Sequence, residues 1–239
     1  MCARVVASGR IVTGTHRRTP YVAFLRAVNV GGRGVVRMAE VQEAFASAGC
    51  ANVRTVIASG NVLFDAPADT PAPVLDRRIR GRLAPLLGGE PVVIYRSMRA
   101  LRRLVARAPF GALIDERALK LYVMFTARKP RKRPRFPLAL PREGLEAIGM
   151  AGGDVLIVSR RKPSGWYGFP TLWIERVLGI TTTARSWSTV AKMVERCDRC
   201  GGGERPPPRP VTPTPSPRRA PGAAGSPPGG RAGSRSRAS

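Results

Sequence analysis

Histidine is nearly missing from this chain of 239 residues, because His16 is the only one. A catalytic triad built on histidine, or a metal centre of several imidazoles, is therefore disfavoured. No apolar run reaches the roughly 20 residues of a membrane-spanning helix, and residues 1–19 lack the roughly 7 to 15 consecutive apolar residues of a signal peptide. The sequence thus predicts a cytoplasmic protein with no membrane association.

Cysteine is scarce as well, with four in the whole chain. Cys197 and Cys200 form one C-x-x-C pair, but a structural zinc site needs four ligands and the sequence has no second pair. A metal shared between two molecules and a redox pair remain alternatives to an accidental motif. Cys2 and Cys50 are typical of unpaired thiols in a reducing compartment. We expect no metal and no cofactor.

Acidic residues are few, with 15 against 41 lysines and arginines, and the formal net charge is +26. Residues 20–196 alone contain 29 basic and 13 acidic residues. This excess favours a polyanionic partner, since lysine and arginine displace counterions from phosphates. Genome composition is the competing explanation, because 36 of the basic residues are arginine, which GC-rich codons encode.

The first half of the chain alternates short apolar runs with amphipathic stretches. Tyr21 to Arg26 is typical of a strand, and apolar residues from Met38 to Ala48 then recur at helical spacing. Two β-prone runs flank Ala58-Ser59-Gly60, which is the signal of a hairpin. A helix at 75–86 and a strand at 92–95 follow. The order β-α-β-β-α-β predicts a split βαβ, or ferredoxin-like, unit.

The second half repeats this order less clearly. Ser97 can cap a connecting helix, and Leu119 to Phe125 alternates as a half-buried strand does. Leu140, Leu145 and Ile148 suggest a short helix. A strand at 155–158, a helix at 172–178, a strand at 181–185 and a helix capped by Ser186 complete the unit. The predicted fold is therefore α+β, with two ferredoxin-like subdomains and antiparallel sheets.

Composition sets the predicted domain boundaries. After Cys197 the chain is dominated by Pro, Gly, Ser and Arg, which cannot bury enough apolar surface to offset chain entropy. The prediction is an extension at residues 1–19, a first subdomain at 20–96, a connecting helix and loop at 97–118, a second subdomain at 119–196 and a disordered tail at 197–239.

Three segments, YVAFLRAVNVGG, VRTVIASGNVLF and TTTARSWSTVAKM, resemble in content and order the family known as domain of unknown function 1697. The resemblance covers about residues 20–196. It implies two ferredoxin-like subdomains and no established reaction. Ala27 stands where the family usually has glycine, and Ser186 stands where it usually has asparagine.

The matching positions provide the groups of an anion site. A glycine-rich turn after a strand can direct consecutive N–H groups toward one anion, and arginines can fork onto a carboxylate or phosphate. The predicted ligand-binding residues are Arg26, Asn29, Gly31, Gly32, Ser59, Asn61, Arg185 and Trp187. We expect a small anionic, phosphate- or nucleotide-like ligand, while no recognisable hydrolytic motif indicates a reaction.

Each of these residues also has a purely structural interpretation. The glycines can serve the turn, Ser59 to Asn61 the hairpin, and Trp187 the core. Arg26 can pair with a carboxylate such as Glu40. Only convergence of the three segments at one edge would favour a binding site, and a sequence alone does not show convergence.

Two other functions stay open. The loop RKPRKRPR could bind nucleic acid without sequence selectivity, through Arg128, Lys129, Arg131, Lys132, Arg133 and Arg135. The aromatic signature of RNA-binding ferredoxin-like sheets is absent from the sequence. A scaffold for protein interactions is the third alternative, and the oligomeric state is open.

Overall fold

The structure is a computed structural model that describes residues 18–26, 28, 36–57, 60–131 and 134–201. Within these residues the chain is a mixed α+β protein with two antiparallel sheets and five α-helices, in agreement with the predicted α+β class. In the same part of the chain, no helix is both long and apolar enough to cross a membrane.

The first sheet is built from the predicted order of elements. These are β1 (Arg18–Leu25), α1 (Met38–Ser47), β2 (Ala51–Thr55), β3 (Asn61–Pro67), α2 (Ala72–Leu87) and β4 (Val93–Ser97). The strands lie in the order β2-β3-β1-β4, and every pair is antiparallel. Arg18 and Thr19 already pair with Pro67 and Ala66, so the sheet begins slightly before the predicted boundary at residue 20.

The second sheet has five strands. Its elements and the helices around it are α3 (Met98–Ala106), β5 (Leu119–Thr126), β6 (Leu138–Leu140), β7 (Leu145–Ala151), β8 (Asp154–Arg160), α4 (Thr171–Leu178), β9 (Thr182–Ser186) and α5 (Trp187–Gly201). The strand order is β6-β7-β8-β5-β9, and every pair is again antiparallel.

The predicted short helix through Leu140, Leu145 and Ile148 is wrong, because these residues lie in β6 and β7. Between the two strands Gly144 adopts φ +63°, and a Cβ there would lie 2.7 Å from the carbonyl oxygen of Arg160. Gly152-Gly153, both at positive φ, then joins β7 to β8 in a two-residue hairpin, as turns with left-handed central residues do. The glycine turns therefore decide the local structure, and the irregular spacing of the leucines does not indicate a helix.

Helix α5 extends beyond the predicted start of the tail at residue 197, since it ends at Gly201. Cys197 is 9% exposed and belongs to the core, one helical turn after Met193 and Val194. The Nε atom of Arg102 on α3 donates to Asp198 at 2.8 Å and ties the two helices together. The predicted tail from residue 202 onward lies outside the described residues.

The main core lies between the two sheets. Val22 and Phe24 of β1 meet Val123 and Phe125 of β5, and the two phenylalanine rings stack with centroids 3.9 Å apart. Buried residues of α3 and α5 complete this layer. The other face of the first sheet packs against α1 and α2, and the other face of the second sheet packs against α4. Strand alternation thus gives each sheet two apolar faces.

Candidate functional site

Arg185 of β9 lies at the joint between the sheets. Its Nη2 atom donates to the carbonyl oxygen of Leu25 at 2.7 Å, and its Nε atom donates to Oδ1 of Asn61. Nη1 donates to Oγ1 of Thr183 and to the carbonyl oxygen of Ala184, both at 2.8 Å. These acceptors are neutral, and burial lowers the pKa of Arg185 to about 10. Two of the predicted site residues, Arg185 and Asn61, therefore lie together and are hydrogen-bonded to each other.

Arg26, at the end of β1, forms a two-pronged ion pair with Glu175 of α4. Its Nη1 and Nη2 atoms donate to Oε1 and Oε2 of Glu175 at 2.9 and 3.1 Å. The same carboxylate accepts from the backbone N–H of Thr182 at 2.7 Å. The structural interpretation of Arg26 thus holds in kind, although its expected partner, Glu40, instead pairs with Arg37 at the start of α1.

Trp187 is a core residue at the start of α5. It is 8% exposed, and its ring meets that of Phe110 edge to face, with centroids 5.2 Å apart. The ring face that the sequence offered for stacking on a ligand is therefore packed inside the protein. The predicted cap is confirmed, because Oγ of Ser186 accepts from the backbone N–H of Thr189 at 3.3 Å.

Four of the predicted ligand-binding residues lie outside the described residues, namely Asn29, Gly31, Gly32 and Ser59. Their role in binding an anion stays a prediction. The same holds for Lys132 and Arg133 of the basic loop.

Arg96 of β4 forms a second joint that mirrors the one at Arg185. It donates to both oxygens of Asp154, at 3.0 Å from Nε and by a short contact from Nη2, and to the carbonyl oxygen of Thr126 at 2.8 Å. Its guanidinium carbon lies 5.6 Å from the ring centre of Phe125. The likeness between the two arginines was visible in the sequence, because Arg96-Ser97 precedes α3 and Arg185-Ser186 precedes α5 in the same way.

A cleft of about 340 Å³ opens beside Arg96, and we call it the basic cleft. Helix α3 forms one wall, the β7–β8 hairpin forms another, and Arg96, Phe125 and Asp154 lie between them. Its lining residues are Arg96, Ala100, Leu101, Arg103, Leu104, Arg107, Phe125, Lys129, Ala151, Gly152 and Asp154.

The position of α3 explains why its arginines face the cleft. Ser97 caps the helix by accepting from the backbone N–H of Ala100 at 3.2 Å, and Leu101 and Leu104 bury the inner face. Arg103 and Arg107, four residues apart, consequently lie on one side of the helix end, since such residues are neighbours on a helical surface. Both are exposed.

The charge of the basic cleft is one-sided. Four of the lining residues are basic, and Asp154 is the single acidic residue among them. Asp154 is 5% exposed and already paired with Arg96. Within the described part of the chain, Arg103, Arg107 and Lys129 form no salt bridge. Three uncompensated cations therefore line one concave surface.

The sequence located part of this cleft. Lys129 belongs to the basic loop proposed for nucleic acid, and it lies against the hairpin, with its Cγ atom 3.6 Å from where a Cβ on Gly153 would be. Arg128, Arg131 and Arg135 of the loop are exposed and do not line the cleft. Arg103 and Arg107 were missed, because a run of arginines on a helix usually indicates only a solvated face.

The fold and these joints define an α+β protein in which two antiparallel sheets are joined by the hydrogen bonds of two partly buried arginines. The chain belongs to the family described as protein of unknown function (DUF1697), whose model matches residues 18–155. The match contains the basic cleft. It ends before the third resembling segment, TTTARSWSTVAKM, although the resemblance was expected to reach residue 196.

A solved structure is also similar, that of the conserved bacterial protein SP0830 from Streptococcus pneumoniae. The two share 17% sequence identity with a TM-score of 0.50, over 76% of this chain and 99% of that chain. At this identity the likeness shows the fold alone. No curated protein is significantly similar to the chain.

Proposed function

We propose that this protein binds a small phosphate-bearing anion in the basic cleft. The observation that carries the proposal is that Arg103, Arg107 and Lys129 line one concave surface without an acidic partner among the described residues. Like charges gathered in this way repel one another, and a bound anion removes that repulsion. The proposed ligand belongs to the class expected from the sequence, and the site proposed for it here lies beside α3.

Phosphate fits this set of donors better than a carboxylate does. A phosphoryl group offers three acceptor oxygens, which two arginine forks and one lysine can share. Ala100 and Ala151, both half-buried, provide apolar surface for the rest of the ligand. The volume of about 340 Å³ lies near the lower end of the range for small-molecule sites, roughly 300 to 1,000 Å³.

The proposal is limited to binding. Lysines and carboxylates can act as general acids or bases, and among the described lining residues these are Lys129 and one carboxylate, Asp154. It accepts from Arg96 and from the backbone N–H of Thr126 at 3.1 Å, which leaves it committed to the joint. We therefore assign no reaction to the cleft.

Nucleic acid is the second candidate, favoured by one observation. Lys129 lines the cleft and also belongs to the basic loop, so a chain of phosphates that enters the cleft could continue along Arg128 and Arg131. Such binding would be unselective and would weaken steeply with salt.

We infer that each sheet is the core of a ferredoxin-like unit, since β2-β3-β1-β4 and β7-β8-β5-β9 have the same strand order. In the second unit α4 takes the place of α2, and β6 occupies the connection where the first unit has α1.

Titration calorimetry with sodium pyrophosphate tests the cleft. The variants Arg103→Gln, Arg107→Gln and Lys129→Gln each remove one cation, and each is expected to weaken binding about tenfold, near the lower end of the worth of one hydrogen bond to a charged group. The control is Arg78→Gln on α2, which is exposed and removes the same charge away from the cleft. Equal weakening by all four variants would mean that pyrophosphate responds only to net charge.

A single-stranded oligonucleotide separates the two candidates. For a small-anion site, Arg128→Gln and Arg131→Gln leave pyrophosphate binding unchanged, and pyrophosphate competes with the oligonucleotide only at the cleft. If the loop variants weaken the oligonucleotide as much as the cleft variants do, and binding falls steeply with added salt, nucleic acid becomes the preferred ligand.

A further inference from the structure

A second concavity, of about 390 Å³, lies between α2 and the first sheet. It is independent of the basic cleft. Tyr95 lines this cavity and its neighbour Arg96 lines the cleft, and successive side chains of a strand point to opposite faces of the sheet. We call this cavity the aromatic pocket.

Three aromatic rings form one side of the aromatic pocket. Tyr21 and Phe64 are stacked with centroids 6.0 Å apart and planes inclined by 22°, and Tyr95 meets Phe64 edge to face at 6.3 Å. Ala66 on the sheet and Ala72 on α2 also line the pocket, and each contributes only a methyl group. Flat aromatic molecules pack well against such a surface, in offset or edge-to-face contact.

The hydroxyl group of Tyr95 is the polar feature of the aromatic pocket. It is buried and makes no hydrogen bond of ordinary length and angle to the described residues, although the carboxylate of Asp76 lies near enough to act on it through charge and a weak hydrogen bond. A buried polar group without a partner is rare and costs free energy, so each instance calls for an explanation. Burial, with a smaller effect of Asp76, raises the pKa of Tyr95 above its ordinary value, so the group keeps its proton and can donate.

The aromatic pocket carries little charge. Asp76 lines it, but both of its carboxylate oxygens accept from Nε of Arg80 at 2.8 Å. The guanidinium of Arg80 also donates to the carbonyl oxygens of Pro91 and Val93, which holds the ion pair in place. An uncharged ligand therefore suits this site better than an ion does.

We propose that the aromatic pocket binds a small, planar, uncharged aromatic molecule that carries a hydrogen-bonding group for the hydroxyl of Tyr95. Contact with the half-buried rings of Tyr21 and Tyr95 supplies the affinity, and the hydroxyl orients the ligand.

Benzimidazole is a suitable probe, because it is planar and offers both a nitrogen donor and a nitrogen acceptor. Binding to the full chain is followed by calorimetry and by the NMR shifts of the tyrosine ring protons. Ala72→Trp places a large ring at an exposed lining position and is expected to weaken binding by about tenfold or more. Val74→Trp, at an exposed position of the same helix that does not line the pocket, is the control.

Tyr95→Phe tests the hydrogen bond. Affinity for benzimidazole is expected to fall about fivefold, the worth of one hydrogen bond, with little change in melting temperature, because the hydroxyl makes no hydrogen bond of ordinary geometry within the described chain. Arg103→Gln should leave benzimidazole binding unchanged, so failure of this proposal and failure of the basic cleft are distinguishable. The proposal is overturned if benzimidazole does not bind, or if Ala72→Trp and Val74→Trp bind it equally.

Discussion

Arg185 offers the sharpest test of whether the predicted site residues bind a ligand or hold the fold. The change is Arg185→Met, which keeps a long side chain and removes the guanidinium. A ligand-binding arginine in a basic pocket would leave the melting temperature of the free protein nearly unchanged when it is replaced. The hydrogen bonds to Leu25 and Asn61 predict a clear loss of stability instead.

The magnitude follows from the acceptors that lose a charged donor. Asn61 is fully buried, and the carbonyl oxygen of Leu25 lies at the joint between the sheets. A buried acceptor that loses its donor costs about 1 to 3 kcal/mol, so two cost about 2 to 6 kcal/mol. Part of this is offset, because the desolvation that lowers the pKa of Arg185 to about 10 is relieved in the variant. The expected net loss in the free energy of unfolding is about 3 kcal/mol.

Urea denaturation followed by circular dichroism measures this loss. The matched control is Arg176→Met on α4, which removes the same charge from an exposed position and is expected to change stability by about 0.5 kcal/mol or less. If the two variants prove equally stable, the hydrogen bonds of Arg185 contribute nothing to the free energy of unfolding, and the ligand-binding interpretation of Arg185 is then preferred.

Four further predictions concern Arg26, Cys50 and Trp187. Arg26→Ala, Glu175→Ala and the double variant are expected to show a coupling of about 1 kcal/mol in urea denaturation, a modest value because Arg26 is 32% exposed; additive losses would contradict the ion pair. Burial raises the pKa of Cys50 from 9.0 to about 11, so iodoacetamide near neutral pH should alkylate it about a hundredfold more slowly than a free thiol, as site-resolved mass spectrometry can measure. Because the folded thiol keeps its proton over the range where the unfolded thiol loses it, the same shift contributes a loss of stability as the pH rises from 9 to 11, and Cys50→Ala should remove this contribution. Trp187→Ala should cost about 3 to 5 kcal/mol in the same denaturation assay, and a near-normal midpoint would place the ring outside the core.

The first half of the fold could be predicted because each local signal agrees with the final structure. Leu75, Ile79 and Leu83 recur every four residues and are the buried residues of α2. In the second half the decisive signals were glycines rather than leucines. Gly144 and Gly152-Gly153 create two tight turns that leave no room for a helix, and a count of apolar spacing gives them no weight.

The candidate site was harder to predict, since its contacts join distant parts of the chain. Arg26 and Glu175 are 149 positions apart, so no local pattern relates them. Arg103 and Arg107 become candidate ligand-binding residues only because the β7–β8 hairpin lies opposite α3, so that a cleft forms between the two. Spacing within α3 specifies which residues share a face, but the packing of the two sheets decides what that face meets.

Equivalent strand pairings in the two halves of the chain show how the predicted anion site and the basic cleft correspond in position. Val22 pairs with Arg96 in the first sheet, as Val123 pairs with Arg185 in the second. Asp154 begins β8 and holds Arg96, as Asn61 begins β3 and holds Arg185.

This correspondence extends beyond the strands. Counted back from these two residues, Gly152-Gly153 corresponds to Ser59-Gly60, the hairpin that the sequence placed in the anion site. From the paired arginines onward, Arg103 and Arg107 of α3 correspond to Lys192 and Arg196 of α5. The anion site that the sequence predicts lies beside Arg185 and Asn61 in one half of the chain, and it stays a prediction. In the other half, Asp154 neutralises Arg96. There α3, the β7–β8 hairpin and Lys129 form the basic cleft, in which three cations are left for a ligand.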